Sequence, residues 1–162
     1  MTFEAALEAD QEAVVEIMNQ AIAEERNAFL EPLTGELARD WYQRLQHSRL
    51  LVVAKENGRI VAWGTLTDYR QGRGALSTTA EITFYVHRDH RGQGLGRKLT
   101  QYLEHQAQAS GVKHLIAILL DDNEASKGLL SSLGYSQWAN FRGIAEFGET
   151  VRGHLYMGRH LS

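Results

Sequence analysis

The stretch EITFYVHRDHRGQGLGR, Glu81 to Arg97, is a strand running into a glycine-rich turn that opens a helix. Ile82, Phe84 and Val86 alternate with Thr83 and Tyr85, and β-branched and aromatic residues in alternation suit a half-buried strand. Gly92, Gly94 and Gly96 then recur at every second position, followed at once by Arg97 and Lys98. Glycines let backbone N–H groups come close to an anion, and the unpaired amides at the start of the next helix add partial positive charge. The stretch predicts a cradle for a pyrophosphate with basic residues beside it.

Three kinds of glycine loop compete for this pattern. A Walker-type loop needs GxxxxGK followed by Ser or Thr, whereas Gly92 is followed five positions later by Arg97, then Lys98 and Leu99. The dinucleotide fingerprint GxGxxG needs a third glycine where Arg97 stands, although Asp121 lies roughly where that fold wants an acidic residue, and the reading stays open. The third pattern fits without a mismatch. Arg91-Gly92-Gln93-Gly94-Leu95-Gly96 matches Q/R-x-x-G-x-G/A, and here the chain resembles the acyl-coenzyme A loop of the GNAT acetyltransferase superfamily.

The 162 residues suit one domain, residues 1–162, and are enough for a sizeable core. A hydrophobic fraction of 43% with 23% charged residues is ordinary globular composition. Without cysteine there is no disulfide framework, thiol nucleophile or thiolate metal site. The N-terminal MTFEAALEADQEAVV lacks an apolar signal region and no run approaches eighteen apolar residues, so neither secretion nor a membrane partner is expected. A net charge of −3 argues against a nucleic-acid partner. The expectation is a cytoplasmic protein that handles small molecules. His87 and His90 have His-x-x-His spacing but sit in the turn before the glycine loop with no third ligand nearby, so no metal is expected.

Along the chain, Phe3 to Leu7 reads as a short first strand. Asp10 is a candidate N-cap for a helix carrying Val14, Ile17, Met18, Ala21 and Ile22 on one stripe. Past Pro32, Thr34 opens a second helix with Leu37, Ala38, Trp41 and Leu45 predicted on its buried face, Trp41 and Tyr42 being read as core. Leu50–Lys55 and Arg59–Thr67 flank Asn57-Gly58, the strongest short hairpin signal. Asp68 to Ser77 reads as a flexible connection carrying Arg70 and Arg73. After the glycine loop, Leu99, Tyr102, Leu103 and Ala107 mark a helix stopping at Gly111, and His114–Leu120 is an apolar run suited to a strand covered on both faces. Strand, helix and strand make a crossover, so these two strands are predicted to be parallel. Asn123 caps a short helix ending at Gly134, and Tyr135 to Met157 forms two last strands around Phe147-Gly148. The predicted class is α+β: a mostly antiparallel mixed sheet with one parallel pair, flanked by helices.

The likeness extends beyond the loop. Glu-x-x-x-Tyr-Val before it, Asn123-Glu124-Ala125-Ser126 after it, and then Leu133-Gly134-Tyr135 are similar to the phosphinothricin/methionine-sulfoximine N-acetyltransferase branch of the superfamily. The resemblance implies an acyl-CoA N-acyltransferase fold in which the loop-bearing strand splays from its parallel neighbour. Acetyl-CoA would lie in the gap with its pantetheine arm along Phe84, Tyr85 and Val86. Its pyrophosphate would sit on the loop from Arg91 through Gly92, Gln93, Gly94, Leu95 and Gly96 to Arg97, with Asn123 and Ser126 near the pantetheine or thioester. The likeness further implies transfer of acetyl to the primary amine of a small molecule, an amino acid or analogue such as phosphinothricin or methionine sulfoximine, and a homodimer with the C-terminal strands as its contact. Glu81 stands where that branch has its general base, and Arg70 is the candidate substrate-binding cation.

Two departures stand out. Leu129 and Leu130 occupy the region where the superfamily commonly has a Tyr or His that protonates the departing thiolate, and Leu76 stands where a substrate Tyr is expected. A catalytically silent acyl-CoA-binding sensor is the alternative from another class, distinguished because only an enzyme requires Glu81.

Overall fold

Asn57 and Gly58 take φ of +50° and +77°, the left-handed pair that a two-residue hairpin turn demands. They join β2 (Leu50–Glu56) to β3 (Arg59–Asp68), and this hairpin seeds a seven-stranded sheet in the computed structural model, which describes residues 1–162. β1 (Thr2–Ala5) adds to the outer side of β2, and β4 (Thr79–Val86) lies antiparallel to β3. The crossover helix α3 (Leu95–Ala109) leads to β5 (His114–Leu120), the one parallel neighbour. β6 (Ser136–Phe147) and β7 (Thr150–His160) return as a hairpin, with β7 against β5, so the order is β1-β2-β3-β4-β5-β7-β6. This mixed α+β sheet matches the expected class. It is not the doubly wound parallel sheet that a dinucleotide site needs, which removes that reading of the glycine loop.

Side chains alternate across the strands, and each face of the sheet is covered by its own helices. On one face Ala80, Ile82, Leu115, Ala117 and Leu155 pack against Leu99, Leu103 and Ala107 of α3 and Leu130 of α4 (Glu124–Ser132). On the other, Leu51, Val53 and Trp63 pack against Val14, Ile17, Met18 and Ile22 of α1 (Gln11–Ala23) and Ala38, Trp41 and Tyr42 of α2 (Gly35–Gln46). Trp41 and Tyr42 are core, as their spacing predicted. α3 packs so closely that a Cβ on Gly64 of β3 would lie 2.6 Å from Leu103 Cδ1.

Four local expectations are corrected. The first strand ends at Ala5 rather than Leu7, and the carboxylate of Asp10 turns back to accept the Leu7 N–H at 2.8 Å instead of capping α1. Leu37 is exposed together with Gly35 and Glu36, and the core contact of α2 begins at Ala38. The connection after β3 contains a 3₁₀ turn over Gly74–Leu76. No helix is long and apolar enough to cross a membrane.

Candidate active site

β4 and β5 are paired over three positions only, Thr79 with His114, Ala80 with Leu115 and Glu81 with Ile116. Past Glu81 the strands part, and a cleft of about 390 Å³ opens between Phe84 and Val86 on one side and Ala117 to Leu119 on the other. Bonds from Tyr69 N–H to Thr79 O and from His87 N–H to Val61 O fix the alternation along β4, directing its odd-numbered backbone groups to β3. Phe84 therefore turns its N–H and C=O into the cleft, and Val86 its N–H. Tyr85 lines the cleft but directs its backbone N–H and C=O to β3, and its ring packs on Trp63 at 5.1 Å. Burial raises the Tyr85 phenol to about 12. An amide-rich arm fits such an edge, because backbone groups shut away from water need partners.

The glycine loop closes one end of the cleft. Gly92 and Gly94 adopt φ of +73° and +79°, and a Cβ at either would meet nothing within 4 Å, so the loop faces open space. Gly96 is small for another reason: it lies within α3, where a Cβ would come 3.3 Å from Leu129 Cδ2 of α4. Leu95 is buried beneath the loop, and Gln93 is exposed and outside the cleft lining. The Arg91 guanidinium is engaged within the protein, donating through Nε to Val86 O at 3.2 Å and through Nη1 to Glu24 Oε2 at 2.5 Å. Arg91, Arg26 and Arg88 together hold the Glu24 carboxyl below the usual range. Arg97 lines the cleft and donates to Ser132 Oγ. The loop amides, with Arg97 at the first turn of α3, could hold a pyrophosphate.

The opposite wall comes from α4. Asn123 Oδ1 accepts the Ser126 N–H at 3.2 Å, an N-cap that fixes both residues at the cleft, with Leu129 and Leu130 one turn deeper. Leu130 is 1% exposed and belongs to the core, so that position offers no proton donor.

Glu81 occupies the last rung of the parallel ladder, on the face opposite α3, and burial raises its pKa above the ordinary carboxylate value. It is half-buried rather than a solvent-facing strand glutamate. Tyr69 and Tyr156 lie on the same side, their ring centroids 6.5 Å apart, and Phe141 and His154 pack on Tyr156 at 5.3 and 5.8 Å. Arg70 is exposed beside this group, close enough to act electrostatically on Tyr156. Sequence reasoning missed Tyr69, Tyr156 and Arg26, which lines the cleft mouth. None lies in a motif, and the sheet register that gathers the tyrosines has no local signal. His87 and His90 face each other edge-on at 5.5 Å, His87 Nδ1 accepting the Asp89 N–H.

A parallel pair that splays, a glycine loop at the end of the gap and a half-buried carboxyl at its apex define an acyl-CoA-dependent transferase architecture. The profile of the acetyltransferase (GNAT) family matches residues 14–135. A Bacillus subtilis protein provisionally named a phosphinothricin acetyltransferase is 36% identical over 164 positions, covering 100% of each chain. The L-methionine sulfoximine/L-methionine sulfone acetyltransferase of Salmonella typhimurium is 34% identical over 140 residues, covering 84% of this chain and 80% of that one. A structure of a provisionally assigned Salmonella typhimurium acetyltransferase with acetyl-CoA superposes with a TM-score of 0.90 at 28% identity, covering 100% of this chain and 94% of that one. The chain belongs to the acetyltransferase (GNAT) family. It is an acetyltransferase, rather than the silent sensor that the sequence also allowed.

Proposed function

We propose that this protein transfers acetyl from acetyl-CoA to the primary amine of an amino acid or close analogue, such as phosphinothricin or methionine sulfoximine, with Glu81 as general base. The observation that carries the reading is the Glu81 carboxyl at the point where β4 and β5 part, between a cleft suited to a coenzyme arm and a polar aromatic surface on the opposite face. Acetyl-CoA supplies an activated thioester; the chain supplies alignment and proton removal. An ammonium ion has no lone pair, so the acceptor must lose a proton before or during attack. The half-buried Glu81, its pKa raised by desolvation, is a stronger base than a solvated carboxylate and can take that proton directly or through one water. CoA thiolate is a good leaving group, which is consistent with Leu130 standing where a general acid would.

The test is Glu81→Gln, which keeps the shape and removes the basicity. It should lower kcat by on the order of 10²–10⁴ while acetyl-CoA affinity stays nearly constant. A near-normal kcat with the best acceptor would leave the site without a base and sink the assignment.

We also propose that the protein works in the cytoplasm as a homodimer. β6 is an edge strand carrying the exposed Phe141 and Ile144, and Val151 is exposed beside it on β7, which supports a contact through the C-terminal hairpin. Light scattering that gave a monomer mass at working concentration would remove the dimer.

A further inference from the structure

Tyr69 follows β3 and Tyr156 sits in β7, so β4 and β5 run between them in the sheet. Three strand spacings separate β3 from β7 by about 14 Å. Ring centroids only 6.5 Å apart therefore require both side chains to lean inward over the two central strands. The register puts that contact at the apex of the cleft: Glu81 pairs with Ile116, and Ile118, two residues on, pairs with Tyr156. Tyr69 bonds to Thr79, two residues before Glu81, so the two rings reach toward each other across the strand pair at the level of Glu81, whose carboxyl acts electrostatically on Tyr156.

These tyrosines are not spent on the fold. Neither hydroxyl has a hydrogen-bond partner within the chain, and the neighbouring Arg70 guanidinium has neither an ion pair nor a hydrogen bond, whereas Arg73 is bonded to Gln71 O at 3.0 Å. Phe141 and His154 clamp the Tyr156 ring edge-on, so its hydroxyl is held in place before any ligand arrives. A phenol is protonated at neutral pH, burial pushes the Tyr156 hydroxyl further in that direction, and a protonated phenol donates. Two phenolic donors and one guanidinium, none engaged within the chain, surround a base that must receive an amine.

We infer that Tyr156, with Tyr69 and Arg70, forms a carboxylate-recognising roof over Glu81, the Tyr156 hydroxyl donating to the carboxylate of an α-amino-acid acceptor. The inference rests on the proposed acetyl transfer and names the group that selects its substrate. An anion a few bonds from the reacting amine satisfies all three donors while leaving the nitrogen beside Glu81. A polyamine would bring a second cation toward Arg70 and leave the hydroxyls unpaired, so Tyr156 is a specificity-determining residue.

The experiment compares each of several amino acids with its decarboxylated amine, measuring acceptor kcat and KM for the wild-type protein and Tyr156→Phe, with thermal melts to establish that both are folded. The wild type should prefer the amino acid. Tyr156→Phe should cut the amino-acid-over-amine ratio of kcat/KM at least about ten-fold, as expected for losing a hydrogen bond to a charged group, with the loss mainly in acceptor KM. An unchanged ratio in the folded variant overturns the inference, and so does a wild type that acetylates amines as well as amino acids. Either result leaves acetyl transfer standing. A wild type that releases no thiol with any amine or amino acid overturns both readings together.

Discussion

Gly94 offers a direct trial of the loop. Its φ of +79° and ψ of 6° lie in the left-handed region, which costs an L-residue about 1–2 kcal/mol, with a β-branched residue at the upper end. A Cβ there would meet no protein atom within 4 Å, so no core contact is lost and Gly94→Val should remain folded against a typical stability of about 5–15 kcal/mol. Binding is the exposed quantity. The valine side chain would project at the mouth of the cleft, and relaxation out of the left-handed region would turn the N–H groups of residues 94–97 away from a common centre. Losing two hydrogen bonds to a charged phosphate, at about 1.5–3 kcal/mol each, amounts to about 3–6 kcal/mol. The dissociation constant for CoA should then rise by about 10²–10⁴. Gly94→Ala, with less bulk and less strain, should fall between. Titration calorimetry with CoA, on variants whose melts show a cooperative fold, measures this. Unchanged affinity in folded Gly94→Val would refute the assignment of the loop to the pyrophosphate.

Three further outcomes are expected. Because burial raises the Glu81 pKa, the folded chain binds that proton more tightly than the unfolded chain, and stability is lost as pH rises through the folded value. Glu81→Gln should therefore melt higher than wild type near neutral pH, with the advantage vanishing below the ordinary carboxylate pKa of about 4.3; a variant less stable than wild type at pH 7 would contradict the desolvation account. Gly64→Ala should cost about 1–3 kcal/mol by denaturant unfolding, since the new methyl would press on Leu103 from 2.6 Å. Gly158→Ala should displace Trp138, whose ring atoms lie 2.1 Å from where that Cβ would be, and tryptophan fluorescence should report the shift; an unaltered spectrum would mean the ring is not seated there.

What the sequence disclosed was local in origin. The β2–β3 turn announced itself because two adjacent residues must both accept positive φ. The glycine loop and the Asn123 cap did so because backbone geometry demands particular residues at close spacing. The engagement of the Arg91 side chain was not legible for the converse reason: its partner Glu24 lies 67 positions away, and no pattern near Arg91 hints at the ion pair. The parity of β4 likewise decides which of Phe84, Tyr85 and Val86 face the cleft, and parity follows from pairing with β3 rather than from composition. The tyrosine pair over Glu81 depends on leaning side chains from strands three places apart in the sheet, a relation that no single window of the sequence contains.

The short parallel ladder has a consequence for how long the protein survives. With three paired positions between β4 and β5, the two halves of the sheet are fastened at one end of that junction and separated along the rest. A coenzyme arm lying in the gap would serve as the missing length of strand, and whatever binds only the folded chain adds to its stability by mass action, about 2.7 kcal/mol at a hundred times the dissociation constant. Amide exchange at Phe84 and Val86 should slow when CoA is added, and resistance to proteolysis should rise with it. The folded lifetime of the protein would then follow the supply of its own acetyl donor.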